Sequence, residues 1–350
     1  MSGRLGSWLL MPFHAAAIAT RAKSFQGNAV LGSAALNEAG LHVWRTRVAH
    51  RMAAWRRRRL LSQIDAKDAA DFERDGFILK ENFLPAARFE ALRAAALALE
   101  APAREMIQGD TVTRRIALDA SALEKTPELR ALVESREWLD PIRYVGSSAL
   151  TPLTYIQTIF SGAVAAPPDP QTILHMDTFH PTVKAWLFLT DVEADGGPLT
   201  YVPGSHRLTE RRLAWERRMS VAANRAPDRY TREGSFRIAE SELAELGLPK
   251  PRVFAVPGNT LVVADTVGFH ARGLSARPSV RVEIWAYGRR NPFLPWTGLD
   301  PVALPFVKGR AVPLIWAARD FGERLGAGRN PWRPVGTLTA DAPPASLRVG

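Results

Sequence analysis

The stretch from Thr172 to Arg207 constrains this chain more than any other. It reads Thr172-Ile-Leu-His175-Met-Asp177, then a strand-like Val183-Lys-Ala-Trp186-Leu-Phe-Leu-Thr190-Asp191, then Gly196-Gly-Pro-Leu-Thr-Tyr-Val-Pro-Gly204-Ser-His206-Arg207. Successive side chains of an extended strand point to opposite faces. His175 and Asp177 therefore share one side and Met176 turns away. Pro203-Gly204 carries the type II turn signature, with proline and glycine at the two central positions.

Far downstream come Phe269-His270-Ala-Arg-Gly and, eleven positions after that histidine, Arg281. His175, Asp177 and His270 make a two-histidine, one-carboxylate set, the ligand type that holds non-haem ferrous iron with positions left open. Composition narrows the chemistry further. The 350 residues include no cysteine, which excludes thiolate zinc sites, iron–sulfur clusters and cysteine nucleophiles. Any metal must sit on His, Asp or Glu, and only seven histidines are present.

His-x-Asp, the strand containing Trp186, the Gly-Pro-Leu-x-x-x-Pro-Gly-Ser-His turn and the distal His followed by Arg together resemble the phytanoyl-CoA dioxygenase family. The resemblance runs from about Ile64 to Asn291. It implies a mainly β fold with helical cover (α+β), built on a double-stranded β-helix of the jelly-roll or cupin-like kind. It also implies Fe(II), 2-oxoglutarate as cosubstrate and O2, with release of succinate and CO2. A glycine or alanine in place of Asp177 would open a halide site, so the carboxylate favours hydroxylation.

The resemblance places the distal carboxylate of 2-oxoglutarate on Arg281. This arginine shares a strand face with Glu283, Trp285 and Tyr287, so an ion pair with Glu283 is the competing reading. A buried guanidinium needs an anion, and its forked donors match a carboxylate. Gln157 and Trp186 join Arg281 as cosubstrate contacts. His180, His206 and Arg272 are candidate substrate contacts. Arg272 stands where relatives carry a small polar residue, a departure that suits an anionic substrate.

The organisation read from the chain has three parts. Residues 1–64 form a basic helical N-terminal arm, 65–290 the oxygenase domain with an insertion at 208–250, and 291–350 a Pro/Trp-rich tail wrapping the core. Of the net charge of +11, nine units belong to the residues before Asp65. In the arm, Leu41, Trp44, Val48, Met52 and Trp55 recur at helical steps, with arginines off that stripe. One reading packs the stripe on the core; another lays it on an anionic membrane surface. Nucleic acid is not an expected partner.

Trp8 to Ala19, broken by Pro12 and His14, departs from the secretory template, so the expected location is cytoplasmic with peripheral membrane contact. The 208–250 insertion reads as a lid, a wall or a solvated excursion. The substrate is expected to be small or lipid-linked. Two rivals stand beside the oxygenase: a catalytically silent β-helix scaffold or membrane adaptor, and a metal oxygenase that needs no keto acid.

Overall fold

The computed structural model describes residues 11–347. The stretch read against a secretory template begins outside them; its described part holds a short helix, Met11–Ala16. Eleven strands follow in chain order: β1 (Phe77–Lys80), β2 (Ala101–Gln108), β3 (Thr111–Ala117), β4 (Leu153–Ser161), β5 (Val183–Phe188), β6 (Leu199–Tyr201), β7 (Arg252–Val253), β8 (Thr260–Asp265), β9 (His270–Arg272), β10 (Ser279–Gly288) and β11 (Arg333–Leu338). Eight form one antiparallel sheet, ordered β1-β8-β5-β10-β4-β3-β2-β11, and three form a second, ordered β7-β6-β9. The main helices are α1 (Leu41–Leu60), α2 (Ala66–Asp75), α3 (Ala86–Ala98), α4 (Pro127–Val133), α5 (Arg136–Val145), α6 (Glu210–Ala222) and α7 (Ala311–Arg324).

Period-two alternation explains the layering. In β5, Ala185 and Leu187 face a cluster with Leu92 of α3, Leu132 of α4 and Trp138 of α5. Trp186 and Phe188 face the other way, against Tyr201 and Phe254 beside the smaller sheet. Each large apolar side chain so buried contributes roughly 1.5–3 kcal/mol. In β10 the same rule sends Val282, Ile284 and Ala286 to the helices. Arg281, Glu283, Trp285 and Tyr287 are left to the space between the sheets. The expected jelly-roll-like core with helical cover is what the chain forms.

Local signals set several boundaries. Asp65 caps α2 by accepting from Lys67 N, and Gly76 ends it at φ 87°. A Cβ at Gly76 would stand 2.5 Å from both His206 Nδ1 and the Tyr201 hydroxyl, so the position needs glycine twice over. Residues 127–145 form two helices and not one, because the Ser135 hydroxyl accepts from Trp138 N and starts α5 afresh.

The tail and the arm depart most from their periodicity. The tail is not merely wrapped around the core: α7 buries Val312 and Trp316, and β11 extends the large sheet by pairing with β2. Arg114 holds the following turn, donating to the carbonyls of Thr339 (3.0 Å) and Pro343 (2.9 Å) and to Glu105. In α1 the buried face is His42, Arg45, Thr46, Ala49, Ala53, Arg56 and Leu60, whereas Trp44 is 54% exposed. The apolar stripe is turned partly outward, and two arginines go in. Among the described residues no helix is long and apolar enough to cross a membrane.

Those arginines are inside because chain carbonyls solvate them. Arg45 donates to the carbonyls of Ile18 (3.0 Å), Thr20 (3.0 Å) and Ala22 (2.7 Å), with its guanidinium 4.2 Å from the Phe179 ring centroid. Arg56 donates to Ser147 O (2.8 Å), Pro292 O (3.0 Å) and Leu294 O (2.8 Å). Arg57 pairs with Asp265 at 2.8 Å. Below α1 lies α6 of the 208–250 segment, whose fully buried Glu216 accepts from His42 (2.9 Å) and Arg212 (2.9 Å).

Candidate active site

The end of the 208–250 segment prepares the site from behind. Met176 N donates to Phe236 O (3.1 Å) and Ile238 N to Leu174 O (3.0 Å), which holds residues 174–176 extended against 236–238. On its other edge His175 N donates to His270 O (3.0 Å) and His270 N to His175 O (2.9 Å). Two histidines 95 positions apart are thus directly opposed across one antiparallel bridge. Asp177 N donates to Thr266 O (2.9 Å), which pins the third residue.

The side chains follow. His175 Nδ1 donates to Ile173 O (2.8 Å) and His270 Nδ1 to Gly268 O (3.0 Å), so in both rings the Nε2 lone pair is free. Asp177 Oδ1 stands 3.9 Å from His175 Nε2 and 3.8 Å from His270 Nε2. Both Nε2 atoms are buried without a hydrogen-bond partner. Orphaned buried acceptors demand an explanation, and a shared divalent ion supplies one: the three donor atoms lie within 4.8 Å of one another.

Protonation states agree with that. Burial, then the neighbouring His270, holds His175 well below its ordinary value; burial brings His270 down to about 4. Burial opposes ionisation of Asp177, but nearby positive charge, chiefly Lys184 and also Arg289, outweighs it and holds the carboxyl well below the usual range. Lys184 Nζ lies 2.7 Å from Asp177 Oδ2, leaving Oδ1 facing the imidazoles. Two neutral imidazoles and one carboxylate fit a divalent cation.

A cavity of about 350 Å³ opens on these donors, lined also by Gln157, Trp186, Arg272, Arg281 and Arg115. Arg281 is buried as expected, but Glu283 occupies part of its fork: Nε donates to Glu283 Oε2 (2.9 Å) and Nη1 to Gly197 O (2.5 Å). Glu283 Oε1 accepts from Gln157 Nε2 (2.6 Å), whose Oε1 accepts from Arg115 Nε (2.8 Å). Gln157 therefore bridges two charged groups. Arg272 is paired with Asp169 at 2.6 Å.

The outlying histidines divide. His180 lines a second, adjoining cavity and donates from Nδ1 to Pro181 O (3.0 Å). His206 lines neither cavity. Its ring packs 5.3 Å from that of Phe72, beside Gly76.

Sequence reasoning missed Arg115 and the role of Lys184. Arg115 is clasped between Trp285 (4.0 Å) and Trp332 (4.3 Å), and burial lowers its pKa only to about 10, so it stays charged. Its strand register opposite Gln157 was the only available signal, and that needs the β3–β4 pairing. Lys184 was legible as sharing the Trp186 face; its proximity to Asp177 was not.

A β-fold that gathers two imidazoles, one carboxylate and nearby arginines defines a class: the chain is a non-haem iron, 2-oxoglutarate-dependent enzyme. Residues 72–240 match the family described as Phytanoyl-CoA dioxygenase (PhyH). The match takes in His175 and Asp177 and stops short of His270 and Arg281.

No curated protein matches the chain. Among solved structures it is similar to the non-heme alpha ketoglutarate dependent epimerase SnoN from nogalamycin biosynthesis (22% identity, 79% of this chain, 95% of that one, TM-score 0.44). It is also similar to the carbocyclase SnoK of the same biosynthesis (21% identity, 64% and 83%, TM-score 0.41). A third is HygX from Streptomyces hygroscopicus with nickel and 2-oxoglutarate bound (17% identity, 64% and 87%, TM-score 0.41).

Proposed function

We propose that this chain hydroxylates a C–H bond of a small or lipid-linked molecule, consuming 2-oxoglutarate and O2 and releasing succinate and CO2. The observation that carries the reading is Asp177 Oδ1 standing between two orphaned imidazole nitrogens while Lys184 faces Oδ2. That occupies the third protein position with a carboxylate and leaves no room there for a halide.

His175, Asp177 and His270 would hold Fe(II), which when bound supplies the oxidising chemistry. Arg281, reinforced by Arg115, would receive the distal carboxylate of 2-oxoglutarate through the guanidinium N–H groups not engaged by Glu283 and Gln157. Gln157 orients both arginines, and Trp186 walls the cavity. Residues 65–290 are the catalytic unit in this reading, with 1–64 and 291–350 as its supports. Anaerobic titration with ferrous iron and 2-oxoglutarate tests it. A weak visible charge-transfer band, followed by succinate on admission of air, is expected. No band indicates a silent scaffold; oxygen consumption without succinate indicates an oxygenase that needs no keto acid.

A second reading concerns the arm. Trp44, Arg47, Arg51, Arg58 and Arg59 are exposed on α1, and Arg59 lies over the Trp55 ring. Tryptophan and arginine on one outward face favour peripheral contact with an anionic membrane. Flotation of the whole protein with anionic and neutral liposomes tests this; equal recovery from both removes it.

A further inference from the structure

The cavity at the metal donors does not end at its arginines. A second cavity of about 480 Å³ adjoins it, and Tyr287, Arg289, Ile315 and Arg319 line both. The outer cavity is further lined by Arg21 and Lys23 of the N-terminal arm and by a single carboxylate, Asp300. Asp300 is already committed, accepting from Thr151 N (2.8 Å) and Val302 N (2.9 Å). Among the described residues no ion pair reaches Arg21, Lys23, Arg289 or Arg319, although ion pairs are plentiful elsewhere.

The inner cavity is different. Arg272, Arg281 and Lys184 each face a carboxylate, and a divalent ion with a keto diacid would cancel. Of the cations that line only the inner cavity Arg115 alone faces no carboxylate, so most of the excess positive charge borders the outer cavity. Like charges converge there although burial disfavours it, and Lys23 Nζ also donates to the Asp177 carbonyl (2.6 Å) at the inner end of the cavity. The arm segment carrying Arg21 and Lys23 is fastened by Arg45 on the carbonyls of Thr20 and Ala22, so these cations are placed by the fold.

Resting on the functional reading above, we propose that the substrate is an anionic small molecule. Its phosphate or carboxylate group docks in this outer cavity on Arg289, Arg319 and the arm's Arg21 and Lys23, and its oxidised carbon reaches inward to the metal. Arginine forks suit tetrahedral and planar oxyanions alike. The N-terminal arm is then part of the substrate site.

The test uses the full chain loaded anaerobically with Fe(II) and 2-oxoglutarate, titrated calorimetrically with glycerol 3-phosphate, with acetate, and with dihexanoyl phosphatidic acid. Binding of at least one probe is expected, weakening at least tenfold in Arg289→Ala/Arg319→Ala and weakening with added salt. Lys250→Ala/Lys308→Ala removes two exposed lysines outside both cavities and should leave binding unchanged. Preference for one probe identifies a phosphate ester, a carboxylate or a lipid phosphate as the source. No binding of any probe, or binding equally tight in the Arg289/Arg319 variant, overturns the anion site. The charge-transfer band is read in the same samples. Its absence from the wild-type protein would instead overturn the oxygenase reading.

Discussion

The arginines of the arm and the arginines of the cavities have the same chemistry and opposite fates. Arg45 and Arg56 of α1 are surrounded by backbone carbonyls, to which each makes at least three hydrogen bonds. Arg115 has one side-chain partner and aromatic walls; Arg289 and Arg319 line open space. A guanidinium held on several backbone carbonyls is a structural bolt. One with donors to spare is a binding site waiting for an anion. Charge counted along the chain points to the arm as the interacting part; donors counted in space point to the cavities, with the arm's Arg21 and Lys23 as the exception that joins them.

The largest effect should come at the metal. His175→Ala or His270→Ala is expected to abolish the charge-transfer band and lower succinate release more than 100-fold, because each removes one of three donors. Retained activity would remove that residue from the donor set. Next, Arg281→Ala and Arg115→Ala should each raise the 2-oxoglutarate KM by roughly 10- to 100-fold, as for loss of a charge-assisted pair. An unchanged KM in Arg281→Ala with a raised one in Arg115→Ala would move the anchor to β3. The bolts should behave otherwise. Arg56→Ala strands buried carbonyls and should cost about 2–4 kcal/mol of stability, read as a lower urea midpoint, with the 2-oxoglutarate KM of the folded protein unaltered.

A pH effect follows from histidines outside the metal set. Burial pushes His50, His180 and His206 each down to about 3. Below about pH 6.5 the unfolded chain takes up protons that the folded chain refuses. Stability is therefore lost as pH falls from about 6.5 towards 3, with no contribution from these groups above that window. At pH 5 the loss is on the order of 2 kcal/mol per histidine, to be measured by urea unfolding of the metal-free protein at pH 7 and 5. Smallest of all, Arg58→Ala/Arg59→Ala should change stability by no more than about 0.5 kcal/mol. A larger change would mean that exposed arm arginines also serve as bolts.

Much of the site was legible because strands encode faces locally. The alternation of β5 and β10 places Lys184, Trp186, Arg281 and Glu283 toward the interior before any partner is known. The stripe of α1 misled for a related reason. Helical spacing showed an apolar face, but His42, Arg45 and Arg56 could enter the core only where Glu216 and the carbonyls of residues 17–22, 147 and 292–294 awaited them. Those partners are remote in sequence. The tail was hidden similarly: Pro334 and Gly336 blur the strand pattern of β11, and its pairing depends on β2.

By itself the sequence determined the donor types, the side of each strand on which they stand, and the family to which the central stretch is related. These follow from residue identity and the two-residue repeat of an extended chain. Only the tertiary structure decided that His175 and His270 exchange backbone hydrogen bonds, that Glu283 shares Arg281, and that Lys23 of the arm reaches the Asp177 carbonyl at 2.6 Å. Such pairings close loops of many tens of residues, and they are fixed by burial and by unmet donors that local patterns do not encode.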